Sequence, residues 1–357
     1  MAVKAFPKDA QSRGPAVRRM LGRIQVETVS SVVLKDNPLG DPRLRQVPVY
    51  LPPSYGQVRG RRYPAIYCLA GFTSTGRSFL NFHPWKESLP ERFDRLIAEG
   101  RAKECVLIMP DCFTAFGGSQ YLDSTATGRY ETHILSELIG FFEDKMTLNP
   151  RPESRAVAGK SSGGYGALML AMRHPDVFGH VASHSGDMFF EACYGPDLLK
   201  GVSALGRYGG SIERFLKEFR AARDKDGFDH ALVNLAGMSA CYSPNPKSRT
   251  GFDLPCDPRT AELIPQVWAR WKALDPVALA AKSPAGLKKL KTLFFDAGTR
   301  DEFHLHLGAR KLSSVLKGLG VRHTYEEHGL GHFDSAARWD VSLALLSRRV
   351  AGSGLDI

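Results

Sequence analysis

One run constrains this chain more than any other: Arg155-Ala-Val-Ala-Gly-Lys-Ser-Ser-Gly-Gly-Tyr-Gly-Ala-Leu. Arg155 to Gly159 reads as a short strand and Tyr165 to Arg173 as an apolar helix. Between them, Gly159-Lys160-Ser161-Ser162-Gly163 fits Gly-x-Ser-x-Gly. A serine at the vertex of a strand-to-helix turn takes a strained backbone conformation. The residues two before and two after it approach so closely that a side chain on either would clash. The turn lifts the hydroxyl above the sheet, and the helix start supplies amide donors and a positive dipole end. Other Gly-x-Ser pairs begin at Gly76, Gly117, Gly201, Gly209 and Gly237, but none has glycine two residues later and none joins a strand to a helix. The embedded Gly-Lys-Ser does not make a phosphate loop, which needs glycine five residues before the Gly-Lys, where Ser154 stands.

Strand-like runs at Ile24 to Leu34, Gln46 to Leu51, Tyr63 to Ala70, Glu104 to Met109, His180 to His184, Thr292 to Asp296 and His323 to Glu327 surround that segment. Apolar spacing predicts helices over Glu87 to Ala98, Tyr130 to Met146, Phe303 to Leu319 and Ser335 to Val350. Strands alternating with helices imply an α/β fold: a mostly parallel central sheet with helices on both faces. The first two strands lack a helix between them, so that edge is expected to be antiparallel. Residues 1–22 read as a flexible basic arm and 23–357 as a single domain. The alternation breaks at about 188–288, which reads as a cap-like insertion with helices over Ile212 to Ala222 and Ala261 to Leu274.

Composition narrows the classes. At 43% hydrophobic residues the chain is too apolar for disorder, and no apolar run approaches a membrane span. The net charge of +11 is scattered, with short clusters at Arg59 to Arg62 and Lys288 to Lys291 and no basic-aromatic stripe, so no nucleic-acid partner is expected. The N-terminus has no apolar signal core. Six cysteines, none in Cys-x-x-Cys, read as buried hydrophobes in a reducing, cytoplasmic setting.

A serine needs an imidazole to take its proton and a carboxylate to orient that imidazole. The tail offers Asp296 and Asp301 around one strand end, then His328 and His332 around the next. His332 follows Gly329 and Gly331 on a loop free to reach the serine, whereas His328 belongs to the strand end. Position alone does not separate Asp296 from Asp301. His304 and His306, two apart on a helix, face different sides and make a poor metal pair. One oxyanion donor should be the Ser162 amide, and the other should come from Gly71-Phe72-Thr73 after the Tyr63 to Ala70 strand. Gly71, Lys160 and His184 are candidate pocket residues, His184 with plain packing as its alternative. Trp268 and Trp271, three apart on an inserted helix, read either as core or as the roof of a substrate pocket.

Together these residues resemble the Putative esterase family of α/β-hydrolases, which includes S-formylglutathione hydrolase, enterochelin esterase, feruloyl esterases and mycolyltransferases. The resemblance rests on Val49-Tyr50-Leu51-Pro52-Pro53-Ser54-Tyr55, Leu69-Ala70-Gly71-Phe72-Thr73, the Gly159 to Leu168 segment, Gly298-Thr-Arg-Asp301-Glu-Phe303, and Tyr121-Leu-Asp-Ser124 followed by Gly128-Arg-Tyr130-Glu131. It covers roughly residues 45–190 and 288–350. It implies the α/β-hydrolase fold, selects Asp301 as the acid and points to Phe72 as the upstream oxyanion donor. Lys160 departs from the histidine that many relatives carry before the nucleophile, and the insertion matches no named subfamily.

The expectation is a serine-dependent carboxylic ester hydrolase: Ser161 as nucleophile, His332 as base, Asp301 orienting it, and the Phe72 and Ser162 amides holding the oxyanion. The substrate would be a small-molecule ester, with no metal or organic cofactor and no membrane partner. The alternatives are a thioesterase of the S-formylglutathione hydrolase type and an acyltransferase using the same triad.

Overall fold

The structure, a computed structural model, describes residues 20–81 and 85–352. Most of the expected basic arm, residues 1–22, lies outside the described residues. The strands are β1 (Arg23–Ser30), β2 (Leu44–Leu51), β3 (Ala65–Leu69), β4 (Val106–Ile108), β5 (Asp123–Ser124), β6 (Gly128–Arg129), β7 (Arg155–Lys160), β8 (His180–His184), β9 (Thr292–Gly298) and β10 (Thr324–His328). Eight of them form one sheet in the order β1-β2-β4-β3-β7-β8-β9-β10, and β5 and β6 pair separately. From β4 to β10 the sheet is parallel, and β1 and β2 form the expected antiparallel edge.

Side chains alternate between the faces of a strand, so each buried strand feeds two cores. Ile66, Cys68, Leu107, Ala156, Ala158, Ala182 and Phe294 pack with Phe93 and Leu96 of α1 (Leu89–Ala98) and, at the far end of the chain, with Trp339, Leu343 and Leu346. Their neighbours Ala65, Tyr67, Leu69, Val157, Val181, Leu293 and Phe295 fill the other face with Ile139 and Phe142, Leu168 and Leu170, and Leu312 and Leu316. Ser88 starts α1 with a reciprocal cap: its hydroxyl accepts from the Glu91 amide while Glu91 accepts from its amide at 2.7 Å. The single helix expected over Tyr130 to Met146 is α2 (Tyr130–Thr132) running through a π-helical stretch, His133–Leu138, into α3 (Ile139–Lys145). The serine segment gives α4 (Ser162–Arg173), which begins three residues earlier than its apolar pattern suggests.

Seven helices occupy the chain between β8 and β9: α5 (Phe190–Cys193), α6 (Gly195–Leu205), α7 (Ile212–Ala221), α8 (His230–Tyr242), α9 (Pro265–Ala273), α10 (Pro276–Lys282) and α11 (Pro284–Lys289). Fully buried Asp275 joins them. Its carboxylate caps α10 at the Val277 amide and accepts from the Phe189 and Phe190 amides at the start of α5. A third core of Phe190, Tyr194, Leu198, Phe215, Leu232, Met238, Tyr242 and Trp271 forms here, and it includes Tyr165 and Met169 of α4. The segment therefore shares a core with the sheet domain. After β9 come α12 (Leu305–Gly318), then β10, then α13 (Arg338–Ala351).

Candidate active site

Ser161 links β7 to α4 with φ +58° and ψ −129°, a conformation non-glycine residues rarely take. The flanking glycines make it possible. A Cβ on Gly159 would fall on the Gly163 carbonyl, and one on Gly163 would fall on the Leu69 carbonyl of β3. The Ser161 amide donates to the His184 carbonyl at 2.9 Å, and the Ser161 carbonyl accepts from the Tyr165 amide at 2.9 Å. The vertex is thus bonded on both sides.

The adjacent parallel strands β7, β8, β9 and β10 release Ser161, Ser185, Asp301 and His332 at the carboxyl-end rim of the sheet. Asp301 and His332 meet there. The His332 Nδ1 lies 2.9 Å from Asp301 Oδ2, and both residues are buried. A carboxylate only accepts, so Nδ1 carries the hydrogen and Nε2 is left as the basic nitrogen. Burial alone would lift the Asp301 carboxyl. The His332 bond and charge and the Phe303 amide, which donates to Oδ1 at 3.0 Å, bring it below its ordinary value. Glu302 accepts from the His332 amide at 2.6 Å. Gly298 packs so tightly that a Cβ would fall on the Leu330 carbonyl, which pins the acid turn to the histidine loop.

Gly71 lies beside Ser161: a Cβ there would stand 3.5 Å from Ser161 Cβ. The Ser162 amide opens α4 and has no intrahelical acceptor. The Phe72 amide donates to no acceptor among the described residues. Lys160 is half-buried. Burial lowers its ammonium, and the charges of Asp301, Asp334 and Glu302 oppose that shift.

Several sequence candidates sit elsewhere. His184 is not a pocket residue: its Nδ1 is 2.8 Å from Asp296 Oδ1 and its Nε2 is 2.7 Å from Ser342 Oγ, all three buried. Asp296 also accepts from Arg338 Nε at 2.7 Å. Burial would raise its carboxyl, but His184 and Arg338 hold it below the ordinary value. Trp271 is no pocket roof. It is fully buried, donates to Ser243 Oγ at 2.9 Å and packs on Tyr194 and Tyr242. Trp268 leans on Trp271, with ring centroids 5.7 Å apart. His328 sits 3.9 Å from Asp296, too far for a hydrogen bond.

The ring that the inserted segment brings to this rim is His230, at the start of α8. It lies 6.0 Å from the Phe72 ring and 5.9 Å from the Phe303 ring. Phe303 in turn lies 4.8 Å from the His332 ring. A chain of rings therefore runs from the Phe72 loop to the His332 loop, with Phe333, 72% exposed, at its outer end. No local pattern marks His230. Only the register of α8 against the sheet domain would have found it.

Comparison with known proteins agrees with this architecture. A family model described as "Putative esterase" matches residues 42–344. The endo-1,4-beta-xylanase/feruloyl esterase of Xylanibacter ruminicola is 26% identical over 166 residues, 46% of this chain and 22% of that protein. The S-formylglutathione hydrolase of Mus musculus is 26% identical over 167 residues, 42% of this chain and 57% of that protein. The matches thus span about a fifth to just over half of these relatives. A solved ferulic acid esterase superposes with a TM-score of 0.59 at 22% identity, covering 92% of this chain and 99% of that one, which shows the shared α/β-hydrolase fold. Among the described residues no helix is long and apolar enough to cross a membrane.

Proposed function

The chain belongs to the Putative esterase family, and from that premise we propose that it is a serine-dependent carboxylic ester hydrolase acting on a small-molecule ester. Ser161 Oγ attacks the acyl carbonyl, and His332 Nε2 takes the hydroxyl proton. Asp301 stays ionised and stabilises the imidazolium through Nδ1–H. Negative charge gathers on the former carbonyl oxygen, where the Phe72 and Ser162 amides and the positive end of α4 meet it. His332 then returns its proton to the leaving alcohol, and an acyl-enzyme remains. Water, deprotonated by the same imidazole, releases the acid. The observation that carries this reading is the 2.9 Å His332–Asp301 pair at the carboxyl-end rim of the sheet, where β7 delivers Ser161 on a positive-φ turn.

A fluorophosphonate probe and a panel of esters differing in acyl length and aromaticity test it, read by intact mass. The expected result is a mass increase on Ser161 and transient acyl adducts, both lost in Ser161→Ala. Labelling elsewhere, or ester turnover retained in that variant, would sink it. A thioester arm, S-formylglutathione beside the oxygen esters, separates an ester hydrolase from a thioesterase by kcat/KM. A cytoplasmic setting is part of the same reading, supported by six cysteines that are all free and buried.

A further inference from the structure

A backbone amide can point at an oxyanion only if the chain around it is held, because its own side chain cannot aim it. Both proposed donors, Phe72 and Ser162, are held from the same direction.

The Phe72 ring is seated on three glycines. A Cβ on Gly117, Gly118 or Gly237 would stand 2.8, 3.2 or 3.1 Å from atoms of that ring. Gly117 also accepts from the Thr73 amide at 2.7 Å, fixing the residue after Phe72. Gly237 lies in the middle of α8, where glycine weakens a helix. The Phe116 carbonyl, 2.7 Å from such a Cβ, and the Phe72 ring, 3.1 Å from it, together account for the glycine.

Ser162 is held through its hydroxyl, which donates to Asp187 Oδ2 at 3.3 Å. The same oxygen accepts from Tyr194 Oη at 2.9 Å and Gln120 Nε2 at 3.1 Å. Gln120 Nε2 lies 2.7 Å from Tyr242 Oη, which is 3.0 Å from Tyr194 Oη. Tyr242 is the last residue of α8. All five residues are buried. A buried carboxylate is costly to desolvate, and a well-packed apolar side chain would serve stability as well. Stability alone therefore does not account for Asp187.

We propose that α8 is a buttress for the oxyanion hole. Gly237 seats the Phe72 ring. Tyr242 and Tyr194, through Asp187, hold the first residue of α4. Asp187 is then a positioning residue, and through it the inserted segment acts on the oxyanion hole. The proposal rests on the oxyanion assignment made above.

Asp187→Asn, Tyr194→Phe and Gly237→Ala, assayed with p-nitrophenyl acetate and with an arylboronic acid whose tetrahedral adduct places an oxygen in the hole, test it. Tyr194→Phe removes one hydroxyl and keeps the ring, so it reports even if the other two variants fold poorly. The expected result is a kcat about 10- to 100-fold lower with KM within about threefold, and boronate affinity weakened in parallel. An unchanged kcat in Tyr194→Phe, a loss carried wholly by KM, or a fall in kcat with boronate affinity intact would overturn it. Wild-type labelling at Ser161 keeps the two readings apart. If labelling fails, the hydrolase assignment fails; if labelling holds and the variants behave as wild type, only the buttress fails.

Discussion

The His184 imidazole bridges Asp296 at 2.8 Å and Ser342 at 2.7 Å, so a second Ser-His-Asp chain lies sealed inside the protein. It has the hydrogen bonds of a catalytic relay and no access to substrate. The two aspartates that flank the end of β9 therefore have different work. Asp301→Asn should lower kcat by about 10⁴-fold and leave the fold intact. Asp296→Asn should leave kcat within about tenfold and cost roughly 3 kcal/mol of stability, because His184 and Arg338 lose their buried partner. Steady-state kinetics and urea unfolding of both variants check this, and the reverse ordering of kcat would transfer the acid role to Asp296.

Ser161→Ala should remove turnover of short-chain p-nitrophenyl esters by several orders of magnitude, on the order of 10⁶-fold at most. Serine already carries a Cβ at this positive φ, so alanine adds no backbone strain and stability should stay close to wild type. Circular dichroism on the same preparation confirms that the fold survives. A residual rate above about a tenth of wild type would exclude Ser161 as nucleophile.

His180 supplies a pH dependence remote from the site. Burial holds its imidazole down to about 4 from an ordinary 6.5, while the Glu153 carbonyl bond opposes the shift. Its neutral form suits its partners: Nε2–H donates to that carbonyl at 3.0 Å, and Nδ1 accepts from the Thr292 hydroxyl at 2.9 Å. Below the ordinary value the unfolded chain takes a proton that the folded chain refuses. This contribution is therefore complete above 6.5 and is lost as pH falls toward 4. Between about pH 7 and about pH 5 it amounts to roughly 2 kcal/mol. Urea unfolding at both pH values should show a steeper loss for wild type than for His180→Asn. Equal slopes would remove His180 from the account.

Two aromatic positions on the inserted segment should behave oppositely. Trp271→Ala empties a fully buried site and should cost roughly 3 to 5 kcal/mol, with KM unchanged in the folded fraction. His230 is exposed between Phe72 and Phe303. Its alanine variant should stay within about 0.5 kcal/mol of wild type and shift KM for bulky aryl esters. Thermal melts with KM values across an ester series distinguish these outcomes.

The sheet was legible because its strands are short apolar runs ended by Gly or Pro, and β7 with α4 was legible because Gly159 and Gly163 leave few alternatives. Helix α8 was not. Leu235 to Tyr242 are all buried, so the segment has no polar stripe to set a helical period. The mid-helix π stretch at His133–Leu138 was hidden because its apolar spacing still resembles an ordinary helix. At the site, strand ends located His332 and both aspartates. What position could not separate, Asp296 from Asp301, depends on which carboxylate faces His184 and which faces His332. Trp268 and Trp271 show the converse: an apolar pair on a helix says that it will be covered, and not by what.

Tyr165 and Met169 of the helix that follows Ser161 sit in one apolar cluster with Phe190, Tyr242 and Trp271. The inserted segment consequently cannot swing away as a hinged hood, nor be excised to widen the entrance, without uncovering the helix on which the Ser161 turn depends. Attempts to retune substrate choice should leave that buried seam alone and work on outward rings such as His230 and Phe333.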